Sequence, residues 1–123
     1  MNEAKVLEYL TKKLKFSNNS INKLKRFVQQ LIKFNKQYNL IGKSTEGQIW
    51  HRHILDSAQI LTLFDYSKHN NIADLGTGAG LPGIVISIFD DKNKFHVKLY
   101  EKSPVKRKFL DKIKIDLKLN VEI

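Results

Sequence analysis

Cysteine is absent from the 123-residue sequence, and proline occurs only at Pro82 and Pro104. Without a thiol the chain has no disulfide, zinc ribbon or thiolate nucleophile, and a reducing compartment suits it. The N-terminal segment also lacks an uninterrupted apolar run, which argues against a signal peptide and a membrane-spanning helix. These absences, with a length that fits one folded domain, predict a cytoplasmic protein that is not bound to a membrane.

Acidic residues are also scarce, with 12 Asp and Glu against 22 Lys and Arg, so that the formal net charge is +10. Such an excess makes a polyanion a credible partner, and nucleic acid is the first candidate. The alternative is compositional, because 19 of the 22 basic residues are lysine in a chain also rich in Asn and Ile. An A/T-rich genome produces that bias regardless of function, and composition alone leaves both interpretations open.

The spacing of apolar residues predicts helices in the first half of the chain. A first helix covers residues 5–14, and a second covers residues 21 to about 39. Residues 45–48, Thr-Glu-Gly-Gln, resemble a capping box for a third helix whose apolar positions extend to Phe64. Residues 1–66 are therefore predicted to form a helical N-terminal cap.

In the second half the pattern changes to alternating strands and helices. The predicted elements are a strand at 71–75, a helix at 82–89, a strand at 95–100, a helix at 104–117, and the opening of a third strand at 121–123. This order predicts a parallel, doubly wound sheet with right-handed crossovers. The fold class is therefore α/β, in which a helical cap precedes the first strands of an incomplete Rossmann-like sheet at residues 67–123.

The most specific pattern is the glycine loop that joins the first strand to the helix after it. Gly76, Gly78 and Gly80 stand at every second position. Glycine permits positive φ angles and lets a ligand approach the backbone without interference from a Cβ atom. Pro82 then suits the first turn of a helix, where a missing N–H costs nothing. A strand, a glycine turn and a helix N-terminus form a crevice for a nucleotide-like ligand, and a turn without a ligand is the alternative.

The spacing of the loop favours one cofactor class over another. The dinucleotide fingerprint G-x-G-x-x-G requires a third glycine where this chain has Leu81, which disfavours a nicotinamide or flavin cofactor. An acid, Asp74, followed by glycine at every second position resembles the motif of S-adenosylmethionine-dependent methyltransferases. A second acid, Glu101, directly follows the second strand, where it can accept both ribose hydroxyls of a nucleoside. Alternatively, Glu101 caps the helix that starts at Pro104.

Two upstream segments extend the resemblance: Tyr-Asn-Leu-Ile at 38–41 and Arg-His-Ile-Leu-Asp-Ser at 52–57. Together with Gly-Thr-Gly-Ala-Gly-Leu-Pro-Gly at 76–83, they make the chain similar to the RsmG (GidB) family from about Val28 to its last residue. The resemblance implies a class I methyltransferase fold and transfer of a methyl group from S-adenosyl-L-methionine to N7 of a guanine in small-subunit ribosomal RNA. Because that family continues beyond the position of residue 123, a truncated, inactive cofactor- or RNA-binding remnant is the alternative.

The resemblance also implies which residues bind the cofactor. Its contacts fall on Asp74, Gly76, Gly78, Gly80, Leu81 and Glu101. Guanine N7 carries a lone pair and no proton, so methyl transfer needs no general base, and in-line placement contributes about 7–11 kcal/mol. No catalytic residue is therefore expected. No metal site is expected either, because His51 and His53 have no third ligand within sequence reach.

Four residues of the upstream motif, Arg52, His53, Asp56 and Ser57, are implied to lie beside the cofactor mouth and the RNA entry. Spacing alone gives a second interpretation, in which Arg52 with Asp56 and His53 with Ser57 form i,i+4 pairs on a helix surface. Such pairs contribute only a few tenths of a kcal/mol.

Basic residues are dense on the first two helices and the last one, where phosphate contact and ordinary solvation are both possible. The expected partner is small-subunit ribosomal RNA or the small ribosomal subunit, bound by a monomer.

Overall fold

Two amphipathic helices begin the computed structural model, which describes residues 2–63, 65 and 70–123. Helix α1 covers Glu3–Lys12 and helix α2 covers Asn18–Asn35. Each helix starts at a side-chain cap, because the Asn2 Oδ1 atom accepts the Lys5 N–H at 3.0 Å and Ser17 Oγ accepts the Ser20 N–H at 3.0 Å. The two helices predicted from apolar spacing are therefore confirmed.

Helix α2 ends at Asn35, short of the predicted end near Asn39. The Asn35 side chain is buried, and its Oδ1 atom accepts the N–H groups of Leu40 and Ile41 at 2.9 and 3.0 Å. These two hydrogen bonds satisfy backbone donors that a longer helix would have used and turn the chain back toward the core.

The third predicted helix is not one regular α-helix. The chain forms a 3-10 helix at Lys43–Gln48, a π-helix at Trp50–Leu55, the short helix α3 at Asp56–Gln59 and a second 3-10 helix at Ile60–Leu63. The capping-box prediction at residues 45–48 is wrong. Instead of capping a helix, Thr45 Oγ1 donates to the Gly42 carbonyl at 3.1 Å and lies 2.8 Å from His53 Nε2. The predicted apolar position at Phe64 lies outside the described residues.

A three-stranded parallel sheet forms the second half. Its elements are β1 at Asn71–Leu75, α4 at Gly83–Phe89, β2 at His96–Tyr100, α5 at Pro104–Leu117 and β3 at Val121–Glu122. The spatial order is β1-β2-β3, and both pairings are parallel. The α/β fold class and the β-α-β-α series are therefore confirmed, although α4 begins after Pro82 rather than at it. Ser103 Oγ accepts the Lys106 N–H at 3.3 Å and caps α5.

Helices α4 and α5 lie on the same face of the sheet. A Cβ added to Gly83 in α4 would collide with the Leu99 side chain of β2, and one added to Gly80 would lie 3.0 Å from Leu110 of α5. Right-handed crossovers that advance in one direction along a sheet must place their helices on one face. On the other face the described strands leave Leu75 and Tyr100 exposed. The described part of the chain thus has helices on one face of its sheet, where a doubly wound fold has them on both.

One hydrophobic core joins the helical part to the sheet part. Helix α2 packs against α4 and α5. The Phe34 ring of α2 lies 5.3 Å from the Phe109 ring of α5, and Phe27 lies 6.2 Å from the same ring. The predicted boundary between residues 66 and 67 lies outside the described residues.

Candidate functional site

The glycine loop follows β1 at the carboxyl end of the sheet. The φ angles are +66° at Gly76, +60° at Gly78 and +96° at Gly80, as the alternating glycines predict. A Cβ atom added to Gly76 or Gly78 would meet no atom within 4 Å, so both residues face open space. Gly80 differs, because an added Cβ would collide with the Ile84 side chain. The first two glycines therefore leave room for a ligand, and the third permits packing of the loop on α4.

The Asp74 carboxylate braces this loop from the end of β1. Its Oδ2 atom accepts the Thr77 hydroxyl at 2.6 Å and the Gly83 N–H at 2.9 Å. The buried Thr77 also donates its backbone N–H to the Tyr100 carbonyl at 3.0 Å, which ties the loop to β2. Sequence reasoning did not assign a role to Thr77, although a threonine three residues after an aspartate in a glycine turn is a signal for such a bond.

Glu101 connects the loop to the end of β2. Its Oε1 atom accepts the Gly78 N–H at 2.8 Å, and its Oε2 atom accepts the Ser103 N–H at 2.9 Å. These donors from Ser103 and Gly78 lower the pKa of Glu101 below its ordinary value, and the nearby Lys106 adds to the effect. The side chain is therefore an ionised acceptor at neutral pH. Since each carboxylate oxygen has two lone pairs, Glu101 can accept two further hydrogen bonds from a ligand.

Glu101 is not the side-chain cap of α5, which was its alternative role. Ser103 supplies the side-chain cap, and Glu101 accepts from the Ser103 N–H, which precedes the helix. Its second hydrogen bond goes to Gly78, 23 residues away. The carboxylate therefore joins two loops at the carboxyl end of the sheet.

Open grooves lie on both sides of the loop. One of about 530 Å³ is lined by Gly76, Tyr100, Glu101, Lys102 and Arg107. The other, of about 560 Å³, is lined by Ile60, Leu63, residues 71–74, Pro82 and Ile86. Three of the predicted cofactor residues line these grooves: Gly76 and Glu101 line the first, and Asp74 lines the second. Gly78, the buried Gly80 and the half-buried Leu81 line neither groove, although Gly78 is bonded to Glu101, which lines the first.

The upstream motif at 52–57 does not form the predicted i,i+4 pairs. Arg52 Nε donates to Gln48 Oε1 at 3.3 Å, and within the described residues it makes no ion pair with Asp56. Residues 50–55 form a π-helix, whose i,i+5 repeat rotates side chains away from the alignment of an α-helix. Sequence reasoning therefore missed Thr45 as the partner of His53 and Gln48 as the partner of Arg52.

His53 is the titratable group of this motif with a shifted pKa. Burial lowers the pKa of His53 below its ordinary value, and the nearby Asp56 offsets part of that effect. The imidazole is therefore neutral at pH 7 and bonded to Thr45. Ser57 is buried on α3, which packs against α4, the helix that follows the glycine loop. Through Ser57 and α3, the motif therefore packs against α4, the helix that follows the glycine loop.

The described residues include no group of three or more His, Asp or Glu side chains placed to hold a metal ion. No helix among them is both long enough and apolar enough to cross a bilayer.

Comparison with known proteins gives one consistent result. Residues 20–123 match the model of the family described as rRNA small subunit methyltransferase G. Curated relatives carry the name ribosomal RNA small subunit methyltransferase G. The one from Pelagibacter ubique is 46% identical over 101 residues, which cover 79% of this chain and 47% of the relative. The one from Magnetococcus marinus is 44% identical over 102 residues, covering 82% and 45%.

A relative from Cereibacter sphaeroides matches over a longer stretch, 118 residues at 39% identity, which cover 94% of this chain and 57% of the relative. The chain therefore spans about half the length of the curated relatives it matches.

Proposed function

Since the chain belongs to the rRNA small subunit methyltransferase G family, we propose that it carries the cofactor-binding portion of an S-adenosylmethionine-dependent methyltransferase that modifies guanine N7 in small-subunit ribosomal RNA. One observation carries the cofactor assignment. The Gly78 N–H is bonded to Glu101 at 2.8 Å, while the space where a Gly76 or Gly78 Cβ would lie is empty. An acid that accepts hydroxyls therefore stands beside backbone that a ligand can approach closely.

The residues of the loop fit the parts of S-adenosylmethionine. Glu101 would accept its ribose hydroxyls through the lone pairs that Gly78 and Ser103 leave free. Asp74 would act chiefly by fixing the shape of the loop. Within the described residues, its Oδ2 atom accepts hydrogen bonds from Thr77 and Gly83. Gly80 and Leu81 would support the pocket by packing the loop against the core, without lining the pocket themselves. When bound, the cofactor supplies an electrophilic sulfonium methyl group.

The protein's task in this chemistry is placement. N7 of guanine attacks with a lone pair that carries no proton, so no residue has to remove one. Rigid placement of the two reactants contributes about 7–11 kcal/mol. The braced loop suits that task, because hydrogen bonds from Thr77 and Gly83 to Asp74 and from Gly78 to Glu101 fix its geometry at three points.

For the RNA partner we propose the basic surface beside the cofactor groove. Lys102 and Arg107 line the groove that contains Glu101, and both side chains are exposed. Cations at that position would bind phosphates next to the target base. Arg52, His53, Asp56 and Ser57 are proposed as a second element near the RNA entry. The protein would act as a monomer in the cytoplasm, with residues 1–66 as a cap and residues 67–123 as the partial cofactor domain.

The decisive experiment measures cofactor binding before activity. We expect calorimetric titration with S-adenosylmethionine to give saturable binding that Gly78→Asn abolishes, because asparagine tolerates positive φ but fills the open space beside the loop. Gly47→Ala is the matched control, since a Cβ at Gly47 also meets nothing within 4 Å but lies in the 3-10 helix at Lys43–Gln48. An intact chain that binds no S-adenosylmethionine would contradict the proposal.

The exposed Lys102 and Arg107 beside the groove favour a second candidate, an inactive remnant that retains RNA binding. A methyl-transfer assay on unmodified small subunits separates the two, with N7-methylguanine mapped in the product. Cofactor binding together with methylation supports the enzyme. RNA binding that persists in Gly78→Asn, with a steep salt dependence and no methylation, supports the remnant.

A further inference from the structure

Almost all of the net positive charge of the chain lies in one segment. Residues 9–45 contain nine Lys and Arg and no Asp or Glu, whereas the rest of the chain contains 13 Lys and Arg and 12 Asp and Glu. The segment therefore carries +9 of the formal +10. A compositional bias toward lysine acts on the whole chain and does not remove acids from one segment. The charge is localised, and composition alone does not account for it.

Helix α2 presents the centre of this segment to solvent. Its exposed positions from residue 22 onward recur every three or four residues and form one face, which we call the α2 face. The α2 face consists of Asn22, Lys25, Arg26, Gln29, Ile32, Lys33 and the C-cap residue Lys36. The opposite side of the helix holds buried residues such as Leu24, Phe27 and Leu31. Four of the seven residues of the α2 face are cationic, and none is acidic.

Helices α1 and α5 each pair a lysine with an acid, and α2 does not. In α1 the Lys12 Nζ atom lies 3.1 Å from Glu8 Oε1, and in α5 the Lys112 Nζ atom lies 2.9 Å from Asp116 Oδ2. Within the described residues, none of the four cations of the α2 face is in an ion pair. Arg26 Nη2 donates to the Asp116 carbonyl at 2.8 Å, which orients the guanidinium but does not neutralise its charge. Four uncompensated charges on one helix face attract a polyanion.

One end of the α2 face lies toward the cofactor groove. Helices α2 and α5 are antiparallel, because Phe34 lies 5.3 Å from Phe109 in the first half of α5, while Arg26 reaches the carbonyl of Asp116 in its last turn. The first turn of α5 contains Arg107, which lines the cofactor groove. The C-terminal end of the α2 face is therefore the end nearer to the groove, and the face extends away from it.

The length and composition of the α2 face favour double-stranded RNA over a single strand. From Asn22 to Lys36 the face extends about 20 Å, at about 1.5 Å per residue. Proteins hold single strands with aromatic side chains on which the bases stack, and the α2 face contains none. Duplex RNA is bound through phosphates and 2′-hydroxyls, which the cations and the amides of Asn22 and Gln29 can contact.

We propose that the α2 face binds the phosphate backbone of a double-stranded segment of the RNA substrate, separate from the target nucleotide at the cofactor groove. The choice of RNA rests on the proposed function, because charge alone identifies only a polyanion. Such a contact holds the substrate in register without reading its sequence, since phosphate contacts position a protein and carry no sequence information. Lys102 and Arg107 would contact phosphates next to the target base, and the α2 face would contact a second segment.

The test measures binding of the full 123-residue chain to a fluorescently labelled RNA duplex of about 16 base pairs, by anisotropy at several salt concentrations. The triple variant Lys25→Gln/Lys33→Gln/Lys36→Gln removes three charges from the α2 face and keeps the helix, because glutamine is a good helix former. Arg26 is retained, since it also bonds to α5. We expect the affinity to fall about tenfold or more. The slope of log affinity against log salt should decrease by about 2–3, since each phosphate contact contributes nearly one.

The matched control is Lys5→Gln/Lys92→Gln/Lys94→Gln, which removes the same charge from exposed lysines outside the α2 face. A small change of affinity and slope in the control, beside the large change in the α2 variant, supports the proposal. Equal losses in the two triple variants show that binding follows net charge alone and overturn it. A single strand that binds as tightly as the duplex, or a wild-type chain that does not bind the duplex, also overturns it.

Titration with S-adenosylmethionine separates this proposal from the proposed function. The α2 variant should bind the cofactor with wild-type affinity, which also shows that it is folded, and Gly78→Asn should bind the duplex with wild-type affinity. A wild-type chain that binds the duplex through the α2 face but binds no cofactor contradicts the proposed function and supports the α2 contact. Cofactor binding without duplex binding overturns the α2 contact and leaves the cofactor assignment intact.

Discussion

Glu101 and Gly78 are joined by a hydrogen bond of 2.8 Å between a carboxylate at the end of β2 and a backbone N–H in the loop after β1. The bond links neighbouring parallel strands beyond their last paired residues, Leu75 and Tyr100. It therefore holds the glycine loop and the candidate ribose acceptor in one rigid unit.

The first prediction removes the charge of Glu101 and keeps its shape. In Glu101→Gln we expect S-adenosylmethionine affinity to fall about tenfold or more, since hydrogen bonds to charged groups contribute about 1.5–3 kcal/mol. Calorimetric titration measures the affinity. Glu8→Gln on α1, where the carboxylate pairs with the exposed Lys12, should leave it unchanged. Equal affinity in Glu101→Gln and the wild type would show that the carboxylate does not bind the cofactor.

The second prediction compares Gly78 and Gly80, which both have a positive φ angle but have different surroundings. Gly78→Ala should destabilise the fold by about 1–2 kcal/mol, the cost of a left-handed residue with a Cβ. Gly80→Ala should cost about 1–3 kcal/mol more, because its Cβ would also collide with Ile84. Urea denaturation measures both variants against Gly47→Ala. Equal losses at Gly78 and Gly80 would contradict the packing role of Gly80.

The third prediction concerns Asp91, which lies after α4 and accepts hydrogen bonds from Ser17, Asn19 and Ser20 at the start of α2. Burial raises the pKa of Asp91. The three hydrogen-bond donors and the charge of Lys23 together outweigh burial, so the pKa of Asp91 lies below its ordinary value. Asp91→Ala should reduce the free energy of unfolding by about 1–2 kcal/mol, as loss of a helix cap does. Asp111→Ala, an exposed acid on α5, is the control. Thermal unfolding at pH 7 distinguishes them, and equal stability of the two variants would show that Asp91 does not stabilise the start of α2.

The fourth prediction follows from His53. Its folded pKa lies below its ordinary value of 6.5, so the unfolded chain binds more protons between the two values. The corresponding stability is fully present above about pH 6.5 and is lost as the pH falls toward the folded pKa. Asp91 and Glu101, whose pKa values are also lowered, add losses in the same direction at more acidic pH. His53→Asn should therefore flatten the stability profile between pH 7 and 5. An unchanged slope in His53→Asn would exclude this origin.

Much of the fold is predictable because local signals and tertiary packing agree. Ser17 and Ser103 stand before helices at cap positions, and both form the caps. The alternating glycines adopt the positive φ angles that their spacing implies. In each case the determining contact lies within a few residues in sequence, where spacing alone is informative.

Residues 43–63 were not predictable in the same way. The hydroxyl of Thr45 bonds to His53 instead of capping a helix, and a π-helix displaces the partner of Arg52 from Asp56 to Gln48. The brace between Thr77 and Asp74 and the link from Gly78 to Glu101 also depend on how the chain closes on itself. Sequence motifs identified several of these residues but not which atoms they bond, because those bonds form only after tertiary packing.

An aspartate lies at each end of helix α4, Asp74 before it and Asp91 after it. At its start the Gly83 N–H is bonded to Asp74, and just beyond its end Asp91 holds the first turn of α2. Seven helical residues span about 10 Å, too short for the helix to bend appreciably. We therefore expect α4 to couple the glycine loop to the first turn of α2 as one rigid element. Slower hydrogen exchange at the first amides of α2 on addition of S-adenosylmethionine would therefore report ligand binding at the loop on the far side of the helix.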